Sequence, residues 1–404
     1  MMKHQIRFRN NSVFVGNFLD DNIIKERRLP SPNPAATNRI FRLQQSLISQ
    51  GSRAYIVSPA SSARIGYYPR LIYPVEIIRK KDIVVIYASA LGVPYLSVIY
   101  ELFSMLYLYI RLTFLRPHTF ILLYCYYPSA VIIGIAAKIR GIKVIEDLED
   151  IVNPKWTDWW KNSFLFSIQQ SVGMILMRFT IWISDVVIVP TNKFMVNFKK
   201  TDKFLVIDGC IDVKNQLTRD KNEKIEVLLA GLLTEEQGIE LFLNTLNLFQ
   251  NNKNTSFLFR FKICGVSDNS EYLVEKIKNF PALDIQYYGY TSTEEFDEIL
   301  NQSDVCLVLQ NPHGRNSLQK TPSKGYEYMA AGKAIIVTPV GNYISLPENC
   351  CVVLKEYTPA ELYSKLVNLD KEQIHDIGTA AYLYAKANWS YKQVGERILE
   401  RILL

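Results

Sequence analysis

The 404-residue sequence predicts an α/β protein of two doubly wound domains. Short apolar runs rich in valine, isoleucine and leucine alternate with helix-patterned segments of about ten to fifteen residues, the signature of a parallel sheet with crossover helices. Glycines follow many of these runs, where a strand gives way to a loop. The length exceeds one typical domain, so two of about 200 residues each are expected.

Composition sets the outer limits. With 49% hydrophobic and 21% charged residues, the chain has enough apolar mass for a sizeable core and is not a disordered polymer. Its net charge of +7 suits nucleic acid or an anionic membrane, and aromatic clusters favour the membrane, so no nucleic-acid partner is expected. None of the six cysteines shows paired metal spacing: Cys264 and Cys306 sit in apolar runs, and Cys350 and Cys351 are adjacent. Reduced cytosolic thiols are the simple expectation. The first seventeen residues hold no apolar core of signal-peptide length, so a cytoplasmic chain is expected.

The first strand is read at Ser12–Gly16, followed by a charged loop from Asn17 to Pro34 and a helix from Ala35 to just before Gly51. Tyr55–Val57 and Ile83–Ile86 are the next strands. Val93–Ile110 has one charge, Glu101, and as a helix would rise about 27 Å, close to a bilayer's hydrocarbon thickness. Its place between two strands of one sheet argues against a span. A buried crossover helix and a helix dipped into a bilayer surface both stay open. Phe120–Tyr124 is a strand, Ala130–Ile139 its crossover helix, and Lys143–Ile145 a strand running into the acidic turn Glu146–Asp150. Ligand sites of open α/β sheets lie past such strand ends, which makes Asp147, Glu149 and Asp150 candidates for activating a hydroxyl; a solvated acidic turn is the alternative. From Trp156 to Trp182, tryptophans and basic residues edge apolar runs, as at a headgroup-level anchor or in a core helix. Val186–Val189 and Phe204–Ile207 close the first domain, residues 1–213, and the polar stretch 214–224 reads as a linker.

The second domain, residues 225–385, alternates cleanly. Strands are read at Ile225–Ala230, Phe257–Cys264, Ile285–Tyr288, Val305–Leu309 and Ala334–Thr338, with helices between. Residues 386–404 continue as helix after a break near Asn388–Ser390. The richest chemistry lies between Val305–Leu309 and Ala334–Thr338. Thr321 or Ser323 is placed to cap a helix, and Pro322 suits its first turn. The free N–H groups of such a start favour an anion, with Lys320 and Lys324 adding positive charge. Glu327 falls one turn deeper, where a carboxylate suits ribose hydroxyls.

The stretch PSKGYEYMAAGKAIIVTPVG, residues 322–341, resembles the donor-site motif of the retaining glycosyltransferases of group 1. The resemblance is strong from about Gly231 to Asn342 and weaker in the first half. It implies the GT-B architecture: two Rossmann-like domains facing across a cleft, a nucleoside-diphosphate sugar held by the second, an acceptor held by the first, and a last helix returning to the first. It also implies metal-independent transfer without a cofactor, a UDP-sugar being the favoured donor. The bacterial surface-polysaccharide enzymes of this group suggest a lipid-linked glycan acceptor and a peripheral place on the inner face of the plasma membrane.

Residue by residue, Glu327 matches the second glutamate of the family's E-x7-E motif, and Gln319 stands where the first is expected. An amide still hydrogen-bonds hydroxyls but carries no charge. Gln237, after Gly231, stands where the family places a lysine on the diphosphate, and no arginine accompanies it. Lys324, Lys320 and Arg315 would then supply the cations that a leaving diphosphate needs. Gly265, Val266, Tyr290 and Thr291 match positions lining the base. Asn38 and Arg39 match the acceptor-side loop, while the family's first-domain histidine is replaced by Tyr124–Pro128. These departures keep two alternatives open, a non-catalytic partner of the same fold and, with less support, a nucleotide-sugar epimerase.

Overall fold

The structure is a computed structural model. It describes residues 11–29, 34–60, 70–93, 96–149, 164–198, 202–213, 223–267, 269–314, 317 and 322–403. The chain divides into two compact units, Met1–Cys210 with Tyr391–Leu404, and Ile211–Ser390. The first boundary thus lies a few residues before the expected 213, and the second at 390 instead of 385. Most of the expected linker, residues 214–222, lies outside the described residues.

In the first unit, β1 (Asn11–Val15) leads to α1 (Asp21–Arg27), α2 (Pro34–Ile48) and β2 (Arg53–Ser58). Helix α1 corrects the expected loop from Asn17 to Pro34. Asp20 caps it, accepting from the Asn22 amide at 3.1 Å, and Ile23 anchors it in the core. There follow β3 (Ile72–Tyr73), β4 (Glu76–Lys80), β5 (Ile83–Tyr87), β6 (Ala90–Leu91), α3 (Leu96–Leu115), β7 (Phe120–Tyr124), α4 (Pro128–Ile139), β8 (Lys143–Asp147), α5 (Phe164–Ile183), β9 (Val186–Val189) and β10 (Phe204–Val206).

Among the described residues, eight strands form the sheet in the order β10-β9-β8-β7-β1-β2-β5-β4. All neighbours pair in parallel except β4, which runs antiparallel to β5. No strand was expected at β4, because Arg79 and Lys80 mask its pattern. Charges of that kind suit an edge strand, whose outer side meets water. The inner strands alternate between two buried faces. Phe14, Leu122 and Ile145 pack under α2, while Val13, Ile121 and Val144 pack under α3 and α4.

The second unit contains β11 (Ile225–Leu232), α6 (Ile239–Asn251), α7 (Lys253–Ser256), β12 (Phe259–Val266), α8 (Ser270–Lys278), β13 (Asp284–Gly289), α9 (Thr293–Asn301), β14 (Val305–Val308), α10 (Ser323–Ala330), β15 (Ala334–Val337), β16 (Val352–Val353), α11 (Pro359–Val367) and α12 (Lys371–Asn388). Its strands are parallel in the order β13-β12-β11-β14-β15-β16. Val227 and Leu229 pack beneath α6 and α11, and Leu228 packs toward α10 and α12. The expected helix break falls at Trp389, which is fully buried against Tyr326. Beyond it, α13 (Tyr391–Leu403) buries Val394, Ile398 and Ile402 in the first unit's core and packs along α2.

Candidate active site

In the second sheet, connections leave β11 and β14 toward opposite sides, so a crevice opens past their carboxyl ends, where open α/β sheets bind ligands. The loops after these two strands are joined, the Asn311 amide donating to the Glu236 carbonyl at 2.8 Å, and the residue after β15 ties on as well, the Thr338 hydroxyl donating to the Gln310 carbonyl at 2.6 Å. Gly231 and Gly265 sit opposite each other in register. A Cβ on Gly265, where φ is +139°, would lie 1.8 Å from the Gly231 carbonyl oxygen, so the strands can approach here only as glycines.

Helix α10 starts beside this edge. Pro322 occupies the N-cap and offers no side-chain hydrogen bond, which corrects the expectation that Ser323 caps the helix; Ser323 is exposed in the first helical position. The Tyr343 hydroxyl fixes the start by donating to the Pro322 carbonyl, and only a glycine at 325 leaves room for that ring. Tyr343 thus covers the Gly325 end of the first turn, while Pro322 puts no side-chain cap on the leading amides, an arrangement that favours an anion. The Lys324 stem passes over Gly231, and its ammonium lies 4.7 Å from the centre of the Phe296 ring. Glu327 is half-buried one turn further along.

Gln237 closes a turn, its amide donating to the Thr234 carbonyl at 3.0 Å. Val266 is exposed at the end of β12, Tyr290 is 83% exposed, and the Thr291 hydroxyl lies 3.1 Å from the Cys264 sulfur. Gly231, Gly265, Lys324 and Ser323 thus share the edge formed by β11, β12 and α10. Arg315, Gln319, Lys320 and Thr321 lie outside the described residues. Sequence reasoning missed Phe296, Tyr343 and Gly325. The only signal for the last two was an aromatic–glycine pair eighteen residues apart, visible only once folded.

The first sheet reverses between β1 and β7, and the acidic residues of β8 lie beside that point. The strand runs two residues further than expected, and the alternative of a solvated acidic turn fails for Glu146 and Asp147, which belong to it and are fully buried. Asp147, a candidate for activating a hydroxyl, is engaged by Arg39. Its Oδ1 and Oδ2 take the Arg39 Nε at 3.1 and 2.9 Å, and Oδ1 takes Nη2 at 2.7 Å. Burial, the largest single effect, would lower the Arg39 pKa, but the Asp147 charge and hydrogen bonds, with Glu149 and Tyr124 nearby, together outweigh it and raise it. Burial, reinforced by Asp147, pushes the Glu146 carboxyl well above its ordinary 4.5, which favours its protonated form. Among the described residues neither Glu146 oxygen has a hydrogen-bond partner. Glu149 is half-buried and accepts the Tyr124 hydroxyl. Burial, then neighbouring Cys125 and Glu149, push that phenol's pKa up, so Tyr124 stays a donor. Asn38 is exposed on α2, and Asp150 lies outside the described residues, as does the tryptophan-rich stretch 150–163.

Residues 224–371 match the family model described as "Glycosyl transferases group 1". No curated protein matched the sequence. Solved structures share the fold along nearly the whole chain. Sucrose-phosphate synthase from Thermosynechococcus elongatus superposes with a TM-score of 0.65 at 11% identity, covering 98% of this chain and 99% of that one. A glycosyltransferase from Rickettsia africae ESF-5 gives 0.65 at 12% identity, covering 97% and 98%. Anabaena HepE in complex with UDP-glucose gives 0.61 at 12% identity, covering 97% and 99%. The chain therefore has the GT-B class of fold, and the stretch that matches the group 1 glycosyltransferase model lies in its second unit.

Proposed function

We propose that the chain is a retaining glycosyltransferase that moves a sugar from a nucleoside diphosphate to a lipid-linked glycan, working in the cytoplasm at the inner face of an anionic membrane in bacterial surface-polysaccharide assembly. The observation that carries the proposal is the α10 start, where leading amides without a side-chain cap from Pro322, and Lys324, stand beside the side-chain-free Gly231–Gly265 edge at the sheet's reversal point. A diphosphate on those amides would place its ribose near Glu327, and Tyr290 and Val266 offer exposed surface to a base. The HepE structures hold UDP or UDP-glucose, which favours a uridine donor for this fold.

In the reaction, negative charge grows on the departing diphosphate. Lys324 and the fixed amide dipoles oppose it without reorganising, so the step needs no cofactor and no metal. The sugar keeps its configuration by front-face displacement, in which the acceptor hydroxyl arrives on the side the diphosphate leaves. On the acceptor side, Asp147 is committed to Arg39, so Glu149, oriented by Tyr124, is the described carboxylate that meets a hydroxyl. Gln237, in place of a cation, leaves more of the phosphate charge to the α10 start.

A donor screen tests this: the purified chain, membrane extract as acceptor and a panel of nucleotide sugars, with products read by mass spectrometry. Transfer from one of the panel, uridine donors first, is expected. Donor binding without transfer to any acceptor would favour the non-catalytic partner that the missing family cation and glutamate allow.

A further inference from the structure

We propose that the joined outer face of α3, α4 and α5 is a monotopic docking surface for an anionic bilayer, an inference that rests on the membrane reading of the proposed function. These three helices cover one face of the first sheet, with α4 packed against both others. Among the described residues, α3 is long and apolar enough by length and composition to cross a membrane. It does not cross one here, because Met105, Tyr109 and Leu112 are locked into the core beneath β1 and β7. Only its outer side is free. That side shows Phe103 and Phe114, each 69% exposed, with Tyr107 between them. The surface continues through Ile139 on α4 to Ile175 and Trp182 on α5. Scattered exposed apolar residues are ordinary, but three adjacent helices presenting them together mark a contact surface.

Charge selects the partner. The exposed charges on these helices and their final turns are Arg111, Arg116, Lys138, Arg140 and Arg178, against Asp185, which pairs with Lys138 at 2.8 Å. The remaining acid, Glu101, is half-buried and accepts from the Ser129 hydroxyl at 3.4 Å. The Arg140 guanidinium lies 4.6 Å from the Phe114 ring centre, an apolar ring with a cation at its edge, as suits the headgroup boundary. Trp182 stacks loosely on Phe179 at 5.5 Å and adds an interfacial aromatic. As a helix of 20 residues, α3 offers a strip about 30 Å long lying in the membrane plane. All three helices begin at the carboxyl edge of the sheet, and α4 starts four residues after Tyr124, so a lipid-borne glycan reaches Glu149 from this face.

The test is co-sedimentation of the full chain with vesicles of phosphatidylcholine alone and with phosphatidylglycerol added. Binding is expected to the anionic vesicles and to weaken with salt. Reversing two cations, Arg111→Glu with Arg140→Glu, is expected to lower it by about 25-fold or more, at about fivefold for each charge lost. Phe103→Ser with Phe114→Ser is expected to lower binding to both compositions. All four side chains are exposed, so the melting temperature is expected to hold. Binding that neither pair changes would overturn this face while leaving a membrane site elsewhere. No vesicle binding by the native chain would overturn both. A solution dimer dissociated by the phenylalanine pair, with no vesicle binding, would assign the face to a second copy. Nucleotide binding, measured separately, judges the transferase reading.

Discussion

At the carboxyl edge of the first sheet, Asp147 gives both oxygens to Arg39, and Glu149 receives the Tyr124 hydroxyl. At the same edge of the second sheet, Lys324 rests against an aromatic ring and the α10 start has no side-chain cap. The first edge satisfies its charges internally; the second holds positive potential in reserve for a ligand. Charge count points the same way, since four carboxylates crowd residues 146–150 of the first unit. Internal pairing of the first edge and the cation beside the α10 start of the second are what the proposed donor site rests on.

The largest way to break this contrast is to open the closed edge. Asp147→Ala leaves the buried Arg39 without its counter-charge and is expected to cost about 3–5 kcal/mol in urea unfolding. A loss below about 1 kcal/mol would mean that the pair is solvated and the edge is not closed. Next comes the glycine pair: Gly265→Ala, with its Cβ against the Gly231 carbonyl, is expected to cost about 2–3 kcal/mol and to weaken UDP binding measured by calorimetry. Unchanged values for both would show that the edge has room.

Glu327→Ala is expected to weaken UDP binding by about 1–3 kcal/mol with little change in folding, as a ribose hydroxyl pair is lost. Unaltered affinity would move the ribose elsewhere. The finest contrast is in pH. The unfolded chain releases the Glu146 proton above about 4.5 while the folded chain keeps it, so this group's contribution to stability falls as pH rises. Glu146→Gln is expected to gain melting temperature over the native chain at pH 8 relative to pH 4. A difference independent of pH would show that the carboxyl ionises in the fold.

Much of this fold was legible in the sequence. The buried parallel strands are continuous apolar runs, so β1, β7, β11 and β14 were readable to within a residue or two. Elements whose pattern depends on the edge or on long-range anchoring were not. Helix α1 has one buried apolar anchor, Ile23, among charges, and β4 is an edge strand whose charges face water. The α10 motif announced its own place, because a turn, a cation and a carboxylate at helical spacing are local features. Its supports were silent, since Phe296 and Tyr343 come from other elements and only the folded chain brings them to Lys324 and Pro322. The pairing of Asp147 was hidden for the same reason: its partner lies 108 positions earlier.

The central claim, that the second unit's α10 start holds a nucleoside diphosphate, is tested most directly by calorimetry of the full chain with UDP, GDP and their nucleosides, in the native protein and in Lys324→Ala. One diphosphate is expected to bind more tightly than its nucleoside, and Lys324→Ala to remove most of that difference. No binding of any diphosphate, or a difference that survives the substitution intact, would contradict it.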